Sequence, residues 1–430
     1  MRILFGSQPQ PTGDKAPIFW DTERLMNPHF AICGPSGSGK TTRLRRLMTG
    51  MSLTDSAIRF IVLDPHGDMA IEGESEVKFS STSTVGLNPL RVRSDMEYGG
   101  VDRAIDIFIT TIGNAGSHAL GSKQRHALAN LMADLYLTCG FDPADPETWS
   151  LKIDKRVNIP NEKRYPTLLS LSWFIKKRAT ELLTGTGPEV TRLVLEICSM
   201  LKAAQRAEQN GKSSNEIGKL KGKAIDAFAE FINNLEYGTE VERLLNYGTK
   251  DTVISLHERV ANLYRSGLFR EDPPDFDNSA QVWRYNLSAL TGEGQVMAVN
   301  FISDELFYDM RQSGLSGIKT YLVIDEAHKF LRDESDHVLS VIAREARKFG
   351  LGLVLSSQNI GDFPDQILSQ MGTKWVLGVD PTYLGKTARK LRVPEARLSS
   401  IMVHKTSLIS FRTSGMSEAP WIDLNLPEVL

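Results

Sequence analysis

The sequence has few cysteines and lacks a long apolar stretch. Only three of its 430 residues are cysteines, and Cys33, Cys139 and Cys198 lie far apart in the chain. This usage argues against a disulfide framework or a zinc site and is typical of a reducing compartment. The apolar start of the chain is too short for a signal peptide, and no segment approaches the roughly 18 apolar residues of a membrane span. We therefore expect a cytoplasmic protein without a membrane span.

The chain also lacks an excess of positive charge. Its 50 Lys and Arg residues are balanced by 52 Asp and Glu residues, giving a formal net charge of −2. Nucleic-acid binding would therefore need locally concentrated cations. Three local clusters are candidate phosphate contacts, although each is also typical of a solvated helix face. They are Lys176, Lys177 and Arg178; Lys219, Lys221 and Lys223; and Lys386, Arg389, Lys390 and Arg392.

A glycine-rich segment with a specific spacing lies near the start of the chain. An apolar stretch at 29–33 leads into GPSGSGKT at 34–41, and 42–48 continue with helical spacing. This is the phosphate-binding loop (P-loop) pattern G-x-x-x-x-G-K-[ST], in which successive backbone N–H groups face one anion. A chance glycine-rich turn is the alternative, and the flanking strand and helix disfavour it. The residues expected to bind the nucleotide are Gly34, Pro35, Ser36, Gly37, Ser38, Gly39, Lys40, Thr41 and Thr42.

The chemistry of this loop predicts ATP and Mg²⁺ as cofactors. Lys40 can reach the β- and γ-phosphates, and the Thr41 hydroxyl can ligate Mg²⁺. A second apolar stretch, 320–324, ends in Asp325 and Glu326. We interpret Asp325 as part of the magnesium shell and Glu326 as the general base that polarises the attacking water. The alternative is that both acids only cap the strand.

Two further features follow this acidic pair. Gln358 ends the next predicted strand, 352–358. At that position its side-chain amide could sense the γ-phosphate or orient water. The alternative is an amide at a strand end whose hydrogen bonds are all made within the protein. Arg344 and Arg347 lie three residues apart, so they share one face of the preceding helix. From the residues alone, we interpret these arginines as a solvated basic face or a favourable charge at a helix C-terminus.

The pattern of strands and helices predicts an α/β protein with a large all-α insertion. Residues 1–28 read as a loose, proline-containing lead-in with a short edge strand at 17–20. The α/β core would occupy 29–100 and 281–415, and 416–430 would be a tail. Between the core parts, 101–280 is expected to be helical, because apolar residues recur there with a helical period. The expected helices of this insertion lie at 101–112, 122–137, 167–183, 189–209, 215–235 and 251–264.

Taken together, these segments resemble the HerA/FtsK group of P-loop motors, and most of all the HerA-type ATPases. The matching motifs occur in the same order in this chain, and the resemblance covers roughly 18–100 and 280–415. They are NPH at 27–29 before GPSGSGKT, VLDPHGD at 62–68, LNPL at 87–90, VIDEAHKF at 323–330 and REARKFGLGLVLSSQ at 344–358.

The resemblance implies a RecA-like core of the ASCE type with strand order 5-1-4-3-2. It further implies a homo-oligomer, a hexameric ring that binds ATP between subunits and pulls double-stranded DNA through its pore. Arg347, with Arg344 second, lies where the family places the arginine that acts on a neighbour's nucleotide. Asp64 and His66 fall in the family's second-strand motif and are lesser site candidates.

The family also supplies alternatives. HerA proteins usually carry an N-terminal β-barrel that docks a nuclease partner, and the 28 residues before the P-loop strand are too few to form one. One alternative function is a type IV secretion or conjugation ATPase; another is a subunit that uses ATP to assemble a partner and moves nothing. The DEAH sequence at 325–328 does not indicate a two-lobed helicase, since fewer than sixty residues follow the last predicted core strand.

Overall fold

The computed structural model describes residues 2–9, 15–115, 120–151, 163–184, 188–233, 246–314, 317–416 and 419–427. Met1 and 10–14 of the predicted lead-in lie outside the described residues, as do 417–418 and 428–430 of the predicted tail. The chain divides into two compact units, which we call the sheet unit and the helical unit. The sheet unit combines Met1–Leu87 with Asp272–Leu430, and the helical unit is Asn88–Glu271.

The sheet unit contains an eleven-stranded sheet with the order β2-β1-β11-β10-β9-β3-β8-β7-β4-β6-β5. Its strands are β1 Arg2–Pro9, β2 Lys15–Asp21, β3 Phe30–Cys33, β4 Arg59–Asp64, β5 Ser75–Lys78, β6 Val282–Asn286, β7 Thr320–Ile324, β8 Leu351–Ser357, β9 Thr373–Val376, β10 Thr406–Phe411 and β11 Trp421–Asn425.

The five central strands have the predicted RecA-like order. Strands β9, β3, β8, β7 and β4 are neighbours in that sequence and pair in parallel, which is the order 5-1-4-3-2. Every residue of β3, β7 and β8 is buried, as expected for parallel strands covered on both faces. The predicted fold class is therefore confirmed. All five strands end at the same edge of the sheet, which we call the carboxyl edge, and the opposite edge is the amino edge.

The edge strand predicted at 17–20 is present within β2, but the expectation of a loose lead-in is wrong for the rest of the described part of 1–28. Strands β1 and β2 form an antiparallel hairpin, and β1 also pairs with β11, so the predicted tail likewise contains a strand. Aromatic packing holds the hairpin: the Phe5 ring stacks on Trp20 at 5.8 Å and on Trp375 at 5.0 Å between centroids. Pro17 is tolerated because β2 is the edge strand of the sheet.

Helices account for most of the remaining described residues. The helices of both units are numbered together in chain order. They are α1 Lys40–Thr54, α2 Val101–Ala115, α3 Ser122–Thr138, α4 Leu168–Thr184, α5 Pro188–Gln209, α6 Ser214–Asn233, α7 Lys250–Arg265, α8 Gly292–Ser313, α9 Val338–Glu345, α10 Asp365–Leu368, α11 Leu384–Leu391 and α12 Glu395–Ser399. The six helices predicted between 101 and 264 are thus present as α2–α7, although 234–235 lie outside the described residues. In the part of the chain that the structure describes, every helix is too short or too polar to cross a bilayer.

Candidate nucleotide-binding site

The glycine-rich segment forms a tight loop at the carboxyl edge, between the end of β3 and the start of α1. Gly37 and Gly39 have φ angles of +77° and +86°, a region that only glycine adopts easily. At Gly34 the restriction is spatial, since a Cβ atom there would lie 2.4 Å from the Ser38 Oγ atom. The spacing of the three glycines therefore follows from the shape of the loop.

Lys40 brings a positive charge into this loop. Its side chain is 8% exposed, and its ammonium group donates to the Gly34 carbonyl at 2.8 Å and to the Pro35 carbonyl at 3.3 Å. Thr41 and Thr42 follow in the first turn of α1, where the helix N-terminus favours anions. All nine predicted nucleotide-binding residues thus lie on one continuous turn that fits a polyphosphate.

Asp325 follows β7 at the same edge of the sheet. Its side chain is 3% exposed, and among the described residues its Oδ1 atom is buried without a hydrogen-bond partner. A buried carboxylate oxygen without a donor is costly unless a cation neutralises it. A carboxylate and a hydroxyl are also the hard oxygen ligands that Mg²⁺ prefers. Asp325 and the Thr41 hydroxyl therefore fit the predicted metal.

Glu326 is held in an unusual backbone conformation and in a polar network. Its φ angle is +47°, in the left-handed region, and the residue is 6% exposed. The Gln358 Nε2 atom donates to both Glu326 carboxylate oxygens, at 3.4 and 3.3 Å. The His328 Nδ1 atom lies 3.3 Å from Glu326 Oε2 and 3.3 Å from Ser357 Oγ. The structure thus brings Glu326 and Gln358 together and adds His328, whose only signal in the sequence is the DEAH tetrad.

Arg344 and Arg347 lie at the other edge of the sheet. Arg344 is in the last turn of α9, and Arg347 is in the short 3₁₀ turn Ala346–Phe349 that leads into the amino end of β8. Because Cys33 pairs with Ser357 at the far end of β8, the length of that strand, about 20 Å, separates these arginines from the P-loop. The structure therefore does not bring them to the nucleotide site of their own chain.

Arg344 and Arg347 face a strongly basic cleft in the sheet unit. The cleft has a volume of about 1150 Å³, and the described residues that line it include eight Lys and Arg residues but one acid, Asp365. Arg344 donates to the Ser335 carbonyl at 2.6 Å. The Arg347 side chain is exposed and makes no hydrogen bond or ion pair with any residue that the structure describes. The other lining cations include all four members of the predicted cluster Lys386, Arg389, Lys390 and Arg392.

The cleft also contains two cations that the sequence analysis missed. Lys374 on β9 and Arg412, just after β10, both line it. Burial lowers the pKa of Lys374, and the neighbouring Arg412 charge lowers it further. These residues are far apart in sequence and meet only because β9 and β10 pair antiparallel, with Phe411 opposite Thr373. Lys374 and Arg412 therefore add positive charge to the cleft, which favours the binding of an anion.

Asp64, a lesser candidate, has a structural role in this arrangement. Its carboxylate is fully buried and accepts hydrogen bonds from the backbone N–H groups of His66, Gly67 and Met69 at 2.7–3.2 Å. It also forms an ion pair with Arg284 at 3.1 Å. Both of its oxygens are therefore engaged in holding the turn after β4. His66 is exposed, with its Nε2 atom 3.2 Å from the Lys329 ammonium.

The other two basic clusters lie in the helical unit, on α4 and α6. Arg178 is paired with Glu181 at 2.8 Å, and the Lys176 ammonium lies 5.3 Å from the centre of the Trp173 ring. Lys219, Lys221 and Lys223 are spread over just more than one turn of α6.

Sequence comparisons connect this chain with HerA proteins. Residues 7–96 match the family model described as "Helicase HerA, central domain". A Methanocaldococcus jannaschii protein described as "Probable DNA double-strand break repair helicase HerA" is 20% identical over 401 residues, which are 88% of this chain and 68% of that protein. HerA of Saccharolobus solfataricus is 37% identical over 112 residues, which are 24% of this chain and 22% of that protein.

Comparisons with solved structures support the same fold. VirB4 of Thermoanaerobacter pseudethanolicus superposes with a TM-score of 0.61 at 14% identity, covering 99% of this chain and 96% of that one. The plasmid coupling protein TrwB, solved with a GTP analogue, gives a TM-score of 0.52 at 13% identity, covering 100% of this chain and 95% of that one. The predicted resemblance to HerA-type P-loop ATPases is thus confirmed.

Proposed function

We propose that this protein is a HerA-like motor that hydrolyses ATP between identical subunits of a ring, hexameric by resemblance, and uses the energy to move double-stranded DNA. The observation that carries this proposal is the separation of Arg347 from the P-loop of its own chain. A chain that holds both parts at opposite edges of one sheet completes a site only with a second copy.

Within one chain, we assign the following roles. The P-loop and Lys40 bind the triphosphate. Thr41 and Asp325 hold Mg²⁺, which would neutralise charge on the β- and γ-phosphates. Glu326 accepts the proton of the water that attacks the γ-phosphorus, and Gln358 fixes the orientation of the Glu326 carboxylate. The contacts of Glu326 with Gln358 and His328 support this assignment, because they hold one carboxylate rotamer.

Between chains, Arg347 and Arg344 would stabilise the negative charge that develops on a neighbour's γ-phosphate. Arginines of this kind contribute about 10³–10⁵ in rate where they have been measured. The excess of cations in the basic cleft supports this role, because a triphosphate is a compact polyanion. We assign the cluster around Lys386 to the same phosphates, since it lines the cleft with Arg347.

The DNA substrate is proposed from the relatives, which are described as DNA double-strand break repair helicases. The net charge of −2 means that DNA contacts would be local rather than global. A nuclease or other effector partner stays a prediction of the resemblance.

The similarity in fold to VirB4 and TrwB favours a second candidate, a secretion or conjugation ATPase that moves protein or a DNA–protein complex. A subunit that uses ATP only to assemble a partner is the third candidate.

Steady-state ATP hydrolysis, measured with and without linear double-stranded DNA, separates these candidates. For a DNA motor we expect stimulation by DNA and a particle mass of several chains in the presence of ATP. Lys40→Ala is the negative control, and it should lose ATP binding, ATP hydrolysis and the stimulation of hydrolysis by DNA. A rate of ATP hydrolysis that does not change when DNA is added would favour the other two candidates. A strict monomer under all conditions would exclude a ring.

A further inference from the structure

The two sides of β3 in the sheet differ in what they can offer to a bound nucleotide. Asp325, Glu326 and Gln358, the groups assigned above to Mg²⁺ and the γ-phosphate, follow β7 and β8 on one side of β3. On the other side lie β9 and β10. Since the γ-phosphate occupies one end of the triphosphate, the nucleoside must leave the P-loop towards β9 and β10. This step rests on the proposed function.

A short loop before β10 lies against the P-loop on that side. A Cβ atom placed on Gly39 would be 3.3 Å from the His404 Nδ1 atom. A Cβ atom on Gly378, which follows β9, would be 3.2 Å from Pro35 Cδ and 3.4 Å from Val403 Cγ2. The loop 402–404 therefore packs beside the residue that immediately precedes Lys40.

This loop exposes apolar surface from a fixed backbone. Met402 is 56% exposed and Val403 is 42% exposed. The Met402 N–H donates to Thr406 Oγ1 at 2.8 Å, and the Thr406 N–H donates to the Met402 carbonyl at 2.8 Å. His404 is exposed and has a φ angle of +68°, a strained conformation for a residue with a side chain. Apolar and aromatic groups held rigidly beside a phosphate loop fit the flat face of a base.

We propose that Met402, Val403 and His404 form the platform for the nucleobase and ribose of the bound nucleoside triphosphate. The P-loop then binds the phosphates, and this loop binds the nucleoside. Stacking of one base on a side chain is worth about a ten-fold change in affinity, and it does not depend on the phosphates.

Calorimetric titration with two probes, ATP and inorganic tripolyphosphate, tests this division. The variants are Met402→Ser and His404→Gly; the latter keeps the left-handed backbone conformation and removes only the ring. Each variant should weaken ATP binding about ten-fold and leave tripolyphosphate binding unchanged. Met416→Ser is the matched control, because Met416 is 45% exposed and lies beyond the opposite end of β10.

Several outcomes would overturn the platform without affecting the proposed function. One is unchanged ATP affinity in both variants while Lys40→Ala abolishes binding. Another is an equal loss for ATP and tripolyphosphate, which would assign the loop to the phosphates. A third is a loss of ATP affinity with Tyr383→Ala alone, since Tyr383 lines a separate cavity of about 360 Å³ with Pro35 and Gln358. If wild-type protein binds neither probe, the proposed function itself fails.

Discussion

The Gln358 side-chain amide lies 3.3 and 3.4 Å from the two carboxylate oxygens of Glu326. Two residues that follow different strands are thereby joined at the carboxyl edge of the sheet, next to the P-loop. Gln358 follows β8, which pairs with the P-loop strand, so this contact connects the proposed general base with the strand that flanks the loop.

Replacing Glu326 with Gln should separate ATP binding from ATP hydrolysis. The amide has nearly the same shape, so the affinity for ATP should change little, whereas loss of the base should lower turnover by about 10²–10⁴. Calorimetric titration and steady-state phosphate release measure the two effects. Turnover equal to that of the wild type would contradict the assignment of Glu326 as the general base. Glu334→Gln, at an exposed position, is the matched control.

Arg347→Ala should lower hydrolysis and leave ATP binding largely intact, because the arginine is remote from the P-loop of its own chain. Mixing Arg347→Ala with Lys40→Ala subunits provides the decisive measurement. Some mixed interfaces then contain an intact Lys40 on one chain and an intact Arg347 on the next, so part of the activity should return. Lys348→Ala, which removes a neighbouring 64% exposed cation, is the control.

No recovery at any mixing ratio, together with full activity of Arg347→Ala alone, would contradict the action of Arg347 on a neighbour. The mixed samples must be shown to exchange subunits, for example by mass measurement of differently tagged chains.

His29 should make the fold sensitive to mild acid. It is fully buried at the start of β3, and its Nδ1 atom accepts the Leu353 N–H at 3.0 Å. Burial, with a smaller contribution from the charge of Arg347, lowers the pKa of His29 to about 4. The unfolded chain, with a pKa near 6.5, binds the proton more readily, so stability is full above about pH 6.5 and falls towards pH 4.

This loss should amount to about 3 kcal/mol from His29 by pH 4, of which about 2 kcal/mol is already lost at pH 5. Urea unfolding at pH 7 and pH 5 measures that first part. His29→Asn should flatten the pH dependence in this range, although His337, whose pKa burial also lowers to about 4, keeps part of it. An unchanged pH dependence in His29→Asn would show that His29 is not the titrating group.

Asp64→Ala should act on stability rather than on ATP affinity. Removing the carboxylate leaves three backbone donors and Arg284 without this partner, which should cost about 3 kcal/mol or more in the free energy of unfolding. Thermal unfolding and ATP titration below the unfolding temperature distinguish the two effects. Glu72→Ala, at an exposed position in the same segment, should change neither. If Asp64→Ala kept the stability of the wild type but lost affinity for ATP, Asp64 would instead be a residue of the nucleotide site.

The P-loop could be predicted because its signal is local, whereas the order of the central strands was implied by the resemblance to the HerA/FtsK group. The glycine spacing reflects two left-handed φ angles and one close contact within six residues, 34–39. Likewise, β7 is an apolar run that ends in Asp325 and Glu326, so its position and its end are both visible in the sequence.

Other features depend on residues that are distant in the chain. The N-terminal hairpin is fixed by β11, where Ser7 pairs with Asn425, and by the packing of Phe5 on Trp375. No local pattern predicts such a contact, and the prolines of the segment indicate a loop. Similarly, Lys374 meets Arg412 only through the register of β9 and β10.

Strand β8 has one further consequence. It is buried along its whole length and hydrogen-bonded to β3 and β7, with Arg347 close before it and Gln358 directly after it. In the proposed assembly, one end of this stiff element meets the chain's own nucleotide and the other end meets a neighbour's. A small displacement of β8 caused by one nucleotide would then move Arg347 relative to the nucleotide of the neighbouring subunit. Hydrolysis in one subunit would thereby influence hydrolysis in the next.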